Sequence, residues 1–191
     1  IPVCVKVLVD SDGLPVVPLD RVRELMDGAR SRFEQCNIEL CVGSIEMLTA
    51  PEGIEDFTCS PGGFLSANHL FFEDNSCSNS EVGVVPLTIF FVPDYEGSKG
   101  CAMSQTNYIV VGADASLATV AHEIGHQADL LHRETPTNVM MNGTTDASVD
   151  FTRWQCCMIR SARFSTAFPV LACRGISVDR LLATSRRLDI D

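Results

Sequence analysis

The stretch His122-Glu-Ile-Gly-His-Gln-Ala-Asp-Leu-Leu-His132 gathers three of the chain's four histidines, at intervals of four and six residues. On an α-helix, positions four apart share a face, so His122 and His126 can aim two imidazoles at one point. Were the helix to continue, His132 would lie about 120° away from His126. For a third imidazole to join the first two, the helix must stop and the chain must double back. Asp129 stands halfway. Asp tolerates the left-handed conformation of such a corner better than most residues, though less well than Gly. His-Glu-x-x-His alone also arises on amphipathic helices whose histidines are merely exposed. The third histidine at this offset is what argues for a shared centre.

Imidazole nitrogen binds zinc at roughly 2.0–2.1 Å, and a catalytic zinc takes three protein ligands while keeping one position open. His122, His126 and His132 are therefore the expected ligands of one catalytic Zn2+. Glu123 lies about 100° around the helix from His122. It would reach a water beside the ion rather than the ion itself, and it is the expected catalytic general base.

The rest of the chain supplies a frame for that helix. Residues 3–9 (VCVKVLV) read as a strand ending at the turn Asp10-Ser-Asp-Gly13. Residues 20–35 read as an amphipathic helix capped by Asp20, with Val22, Leu25, Met26, Ala29 and Phe33 on one face. Residues 38–48 return to strand character, and a β–α–β opening implies two parallel strands. Residues 50–83 look irregular, with His69 as a loop histidine that is not enlisted. The acids of Glu73-Asp74-Asn75 are compatible with calcium, but solvated loop is the preferred reading. Residues 87–92 and 108–112 read as strands, 97–100 as a turn, and Cys101 to Asn107 as a candidate sheet edge. Residues 115–131 read as a helix capped by Asp114 or Ser116, residues 133–147 as loop, and residues 150–162 as a last helix. The tail after Pro169 is not placed.

HEIGHQADLLH resembles the long zinc motif HExxHxxGxxH of the metzincin metallopeptidases. Met140, eight residues after His132 in TNVMMNG, is similar in sequence and distance to the family's methionine, which sits in a tight turn beneath the zinc. Phe151-Thr-Arg-Trp-Gln155 is similar to the Leu-Thr-x-x-Gln that often opens the family's last helix. The likeness is specific over residues 108–157 and architectural before that. It departs from the family at Asp129, where Gly is usual, and in having no tyrosine after the methionine.

The resemblance implies an α+β, metzincin-like zincin fold: a mixed twisted sheet, a zinc-binding active-site helix and a smaller C-terminal subdomain with a final helix. It implies a single catalytic domain over residues 1–191, divided into subdomains at about 1–128 and 129–191. The activity implied is zinc-dependent endopeptidase cleavage, with a protein or peptide substrate laid along the sheet edge and residues 141–149 walling the pocket after the cut bond. Three alternatives stay open at this stage: a catalytically inactive zinc-binding interaction module of the same fold, a zinc hydrolase of non-peptide substrates, and a thermolysin-like enzyme whose third ligand is a distant glutamate.

Net charge of −11 with no Lys/Arg cluster argues against nucleic acid or an anionic membrane as partner. No apolar run reaches the roughly 18 residues of a membrane span, and a monomer is expected. Nine cysteines without a CxxC pair fit a disulfide framework and a secreted protein. The odd count leaves at least one thiol over, and such a thiol could silence a zinc site by binding to it. Cys156 and Cys157 are adjacent, so each is expected to seek a distant partner.

Overall fold

Pro2–Val9 (β1) is buried along nearly its whole length, as expected of a β-branched run covered on both faces of a parallel sheet. In this computed structural model, which describes residues 1–59, 67–78, 85–95, 99–103 and 106–165, β1 lies inside a five-stranded sheet. Cys41–Thr49 (β2) and Leu87–Val92 (β3) flank it, both parallel to it. Tyr108–Gly112 (β5) continues the parallel set beside β3. Gly100–Ala102 (β4) runs antiparallel to β5 and forms the edge, giving the order β2-β1-β3-β5-β4. The candidate edge is therefore in place but is shorter than residues 101–107 and begins at Gly100. Residues 97–98 of the expected 97–100 turn, like the tail after Pro169, lie outside the described residues.

Side chains alternate across β3 with the strand period of two. Leu87, Ile89 and Phe91 face one core and Phe90 and Val92 the other. The first core is closed by Leu19–Glu34 (α1) through Val22, Leu25, Met26, Ala29 and Phe33, the apolar face read from the sequence. Thr119–Gln127 (α3) packs on the same side through Val120, Ala121 and Ile124. The second core is aromatic. It is covered by a 3-10 turn at Ile54–Asp56 and by Ala67–Asp74 (α2); Phe72 meets Phe57, Phe90 and Tyr108, and Phe90 meets Tyr108.

Several expectations are corrected here. The region 50–83 contains a helix: α2 is eight residues of weak periodicity, made helical by the aromatic surface it covers. His69 is not in a loop. It is a buried α2 residue whose Nδ1 meets the Tyr108 hydroxyl at 2.8 Å. Glu73 and Asp74 end α2 with exposed side chains, and Asn75 donates back to the Phe71 carbonyl. Pro18, not Asp20, is the N-cap of α1; Asp20 sits in its first turn, where it suits the helix dipole. α3 starts four residues later than expected, at Thr119, with Ala118 as cap rather than Asp114 or Ser116. The cause is tertiary: Asp146 takes the Leu117 N–H at 2.8 Å and Thr119 Oγ1 takes that of Ser116 at 3.0 Å. The last helix, Arg153–Ser161 (α4), opens with a capping box between Thr152 and Gln155.

Disulfides join Cys4 to Cys77, Cys36 to Cys156 across 120 residues, and Cys59 to Cys101. Cys41 is also disulfide-bonded. These bridges indicate folding in an oxidising environment. Cys156 finds the distant partner expected of it, whereas Cys157 is a free, exposed thiol. Among the described residues no helix is long and apolar enough to cross a membrane.

Candidate metal centre

α3 ends in a Schellman motif. The Leu130 N–H reaches the Gly125 carbonyl at 3.1 Å and the Asp129 N–H that of His126 at 2.9 Å. Asp129 takes the left-handed position, with φ of 59°. The corner therefore forms with Asp in place of Gly. Leu130 turns inward and is buried, while the next residues swing His132 back over the helix face.

Three imidazoles meet there. His126 Nε2 lies 2.9 Å from His122 Nε2 and 3.1 Å from His132 Nε2. His122 Nδ1 donates to the Val139 carbonyl at 2.7 Å, and His126 Nδ1 to the Leu130 carbonyl at 2.8 Å. A carbonyl can only accept, so both Nδ1 atoms carry the proton and both Nε2 atoms present lone pairs. Two lone pairs facing each other at this distance repel unless a cation sits between them. The donor set thus fits a small, nitrogen-seeking divalent ion. Burial pushes the His122 imidazole down to about 4, against the raising effect of its Val139 bond. Burial lowers His126 as well. Both rings stay neutral at ordinary pH, the form that ligation requires.

Glu123 is buried, and desolvation raises its carboxyl to about 8. It opens into the same cleft as the three histidines, a groove of about 1020 Å³. One wall is β4, through Gly100 and Ala102; another is Asn142, Gly143 and Thr144, after the methionine turn. The segment that follows that second wall is tied to α1. The buried Arg32 guanidinium donates to the carbonyls of Ser148 at 2.7 Å and Asp146 at 2.8 Å. Cys157 does not line the cleft.

Met140 is fully buried beneath α3. A Cβ on Gly125 would collide with its sulfur and come within 3.1 Å of its methyl. The turn is tight: Met141 N–H bonds the Asn138 carbonyl at 3.0 Å, and Asn138 Oδ1 takes the Met140 N–H at 3.0 Å.

The fold has solved counterparts. Mature mirolysin of Tannerella forsythia, in complex with a cleaved peptide, superposes with a TM-score of 0.60 at 16% identity, over 95% of this chain and 97% of that one. An archaemetzincin from Methanopyrus kandleri gives 0.55 at 14% identity, over 84% and 93% of the two chains. The chain has the metzincin-type metallopeptidase fold. A third structure with this metzincin-type fold, metalloproteinase-II from Bacteroides fragilis, gives 0.55 at 14% identity over 86% of this chain, which spans about half (52%) of that protein. No family model and no curated protein matches the sequence.

Of the five residues singled out in the sequence, His122, His126 and His132 bring their ring nitrogens together and Glu123 opens on the same cleft, whereas Met140 packs beneath α3 against Gly125. The carbonyls of Val139 and Leu130 carry no residue signature, so nothing in the sequence marked them. Gly100 and Gly125 were also missed. Each matters through a close approach by a distant segment, which one-dimensional patterning does not register.

Proposed function

We propose that the chain is a secreted, monomeric zinc endopeptidase, one catalytic unit whose cleft divides it at about residue 128. The observation that carries this reading is the convergence of three imidazole Nε2 atoms on one point, with the Glu123 carboxyl in the same cleft. His122, His126 and His132 would hold the zinc. When bound, it supplies a Lewis acid that polarises the peptide carbonyl and acidifies water. His132 standing 3.1 Å from His126 speaks against a distant glutamate as third ligand.

The chain's own groups do the rest. The Val139 and Leu130 carbonyls fix ring tautomer and direction, so the ligands need no reorganisation. With a dication beside it to offset the desolvation that raises its carboxyl, Glu123 would stand ionised, take the proton of the attacking water and hand it to the leaving amine. β4, with no strand beyond it among the described residues, offers backbone donors and acceptors to an extended peptide, which would add as a further strand. A peptide so placed crosses the metal centre with its next side chain towards Asn142–Thr144.

Replacing Glu123 by Ala is the decisive test. Zinc content should stay at the wild-type level while cleavage of unfolded protein falls about 10²–10⁴-fold, the usual contribution of a positioned base. If wild type and variant bind zinc equally and both leave every protein and peptide intact, the chain is a binding module and the peptidase reading is wrong.

A further inference from the structure

Gly100 lies in β4 directly against Glu123. A Cβ built there would run into Glu123 Oε1, and would stand 2.6 Å from Thr119 Cγ2 and 2.8 Å from Glu123 Cγ. Real Cβ atoms do not approach other groups this closely, so the missing side chain is what makes room for the carboxylate. From this contact we infer that Gly100 is a positioning residue for Glu123. The edge strand seats the general base through a bare Cα, as well as offering its backbone to substrate. The inference rests on the peptidase reading for its kinetic meaning, but not for its geometry.

The seat is rigid. β4 pairs with β5 at Gly100–Val111, Cys101–Val110 and Ala102–Ile109. Just before it, the Lys99 carbonyl accepts from Gly112 N–H at 3.0 Å. Cys101 is bridged to Cys59. Just after it, Gln127, at the end of α3, donates Nε2 to the carbonyls of Met103 at 2.9 Å and Tyr108 at 3.1 Å. The hairpin is thereby tied to the helix it faces, and α3 is itself packed into the core through Val120, Ala121 and Ile124. Thr119 has little freedom either. Its χ1 is stiff, and its hydroxyl already bonds the Ser116 N–H at 3.0 Å. The group that yields most cheaply is the far end of the Glu123 side chain, which opens on the cleft. Adding one methyl at Gly100 should therefore swing the base out of place while the fold and the three imidazoles persist.

The experiment compares wild type, Gly100→Ala, Glu123→Ala and the double variant, all zinc-loaded. A Gly43→Ala control adds a methyl in β2 whose nearest neighbour is 3.7 Å away. Gly100→Ala is expected to keep the wild-type zinc content and to lower kcat about tenfold or more, up to the loss of Glu123→Ala, with KM little changed. In the Glu123→Ala background it should cost nothing further. Unchanged kcat, or an equal loss without Glu123, overturns the inference. A crystal structure of Gly100→Ala gives a readout independent of activity. The Glu123 carboxylate should be displaced with the histidines in register, and an unmoved carboxylate overturns the inference even if the wild type cuts nothing. Should Gly100→Ala fold poorly, Gly100→Ala/Thr119→Ser removes the competing Cγ2 contact and is measured against Thr119→Ser. The same displacement is required of it.

Discussion

Asn138 and Gln155 exchange two amide hydrogen bonds, at 2.9 and 3.0 Å, in the buried space between the methionine turn and α4. Each amide does a second job: Asn138 Oδ1 takes the Met140 N–H and Gln155 Oε1 the Thr152 N–H. The pair thus joins the turn under the metal centre to the N-terminus of the last helix. Truncating one partner leaves the other buried without its bond, which costs roughly 1–3 kcal/mol. Asn138→Ala and Gln155→Ala should each lose about that much in urea denaturation, and the double variant clearly less than the sum. Strict additivity would show that the two amides do not act as a unit.

Gly125 and Met140 meet with no space between them, since the Met140 sulfur fills the place a Cβ would take. Gly125→Ala should destabilise by about 1–3 kcal/mol, the usual cost of overpacking. It should also weaken zinc binding, because the helix bearing His122 and His126 is pushed off its support. Shortening the intruding side chain in Gly125→Ala/Met140→Ala should restore part of the zinc affinity. No recovery in a zinc titration would mean that Met140 does not set the height of α3.

What was legible in the sequence was mostly local. The four-and-six spacing, the need for a corner at Asp129 and a last helix opening at Thr152-Arg-Trp-Gln155 are properties of neighbouring residues, and all are seen in the fold. The β–α–β opening was legible because the apolar face of α1 repeats clearly over four turns. α2 was not, because eight residues of Ala-Asn-His-Leu-Phe-Phe-Glu-Asp show no clean period until the aromatics of β3 and β5 give them a surface. The start of α3 was misplaced for a similar reason: Asp146, 29 residues away, ties down Leu117. The glycines at 100 and 125 read as ordinary, because what requires them is contact with a distant segment.

Asp129 holds a φ of 59° without being Gly. Left-handed backbone costs an L-residue roughly 1–2 kcal/mol, most for β-branched side chains. Asp129→Gly should keep the zinc affinity and change stability by no more than about 1 kcal/mol, relief of strain being offset by the freer unfolded chain. Asp129→Val should lose stability and zinc affinity together, because His132 can no longer return to the helix face. Equal zinc affinity in Asp129→Val would show that the corner is not what delivers the third imidazole.

His69 gives the fold a pH dependence outside the metal centre. Burial against Phe57 and Tyr108 lowers its pKa below the ordinary value near 6.5, outweighing the opposing hydrogen bond with the Thr58 backbone. The folded state then prefers the neutral ring, and at mildly acid pH the unfolded chain binds more protons. Its contribution to stability is complete above the unfolded pKa and is lost as pH falls through it towards the lower folded value. Between about pH 7 and about pH 5 the wild type should lose more stability than His69→Gln, which cannot titrate. Denaturation of both proteins in the same metal state at the two pH values subtracts the histidines of the metal centre, which are common to both. Equal losses would mean that the buried ring takes up its proton without opening the aromatic core.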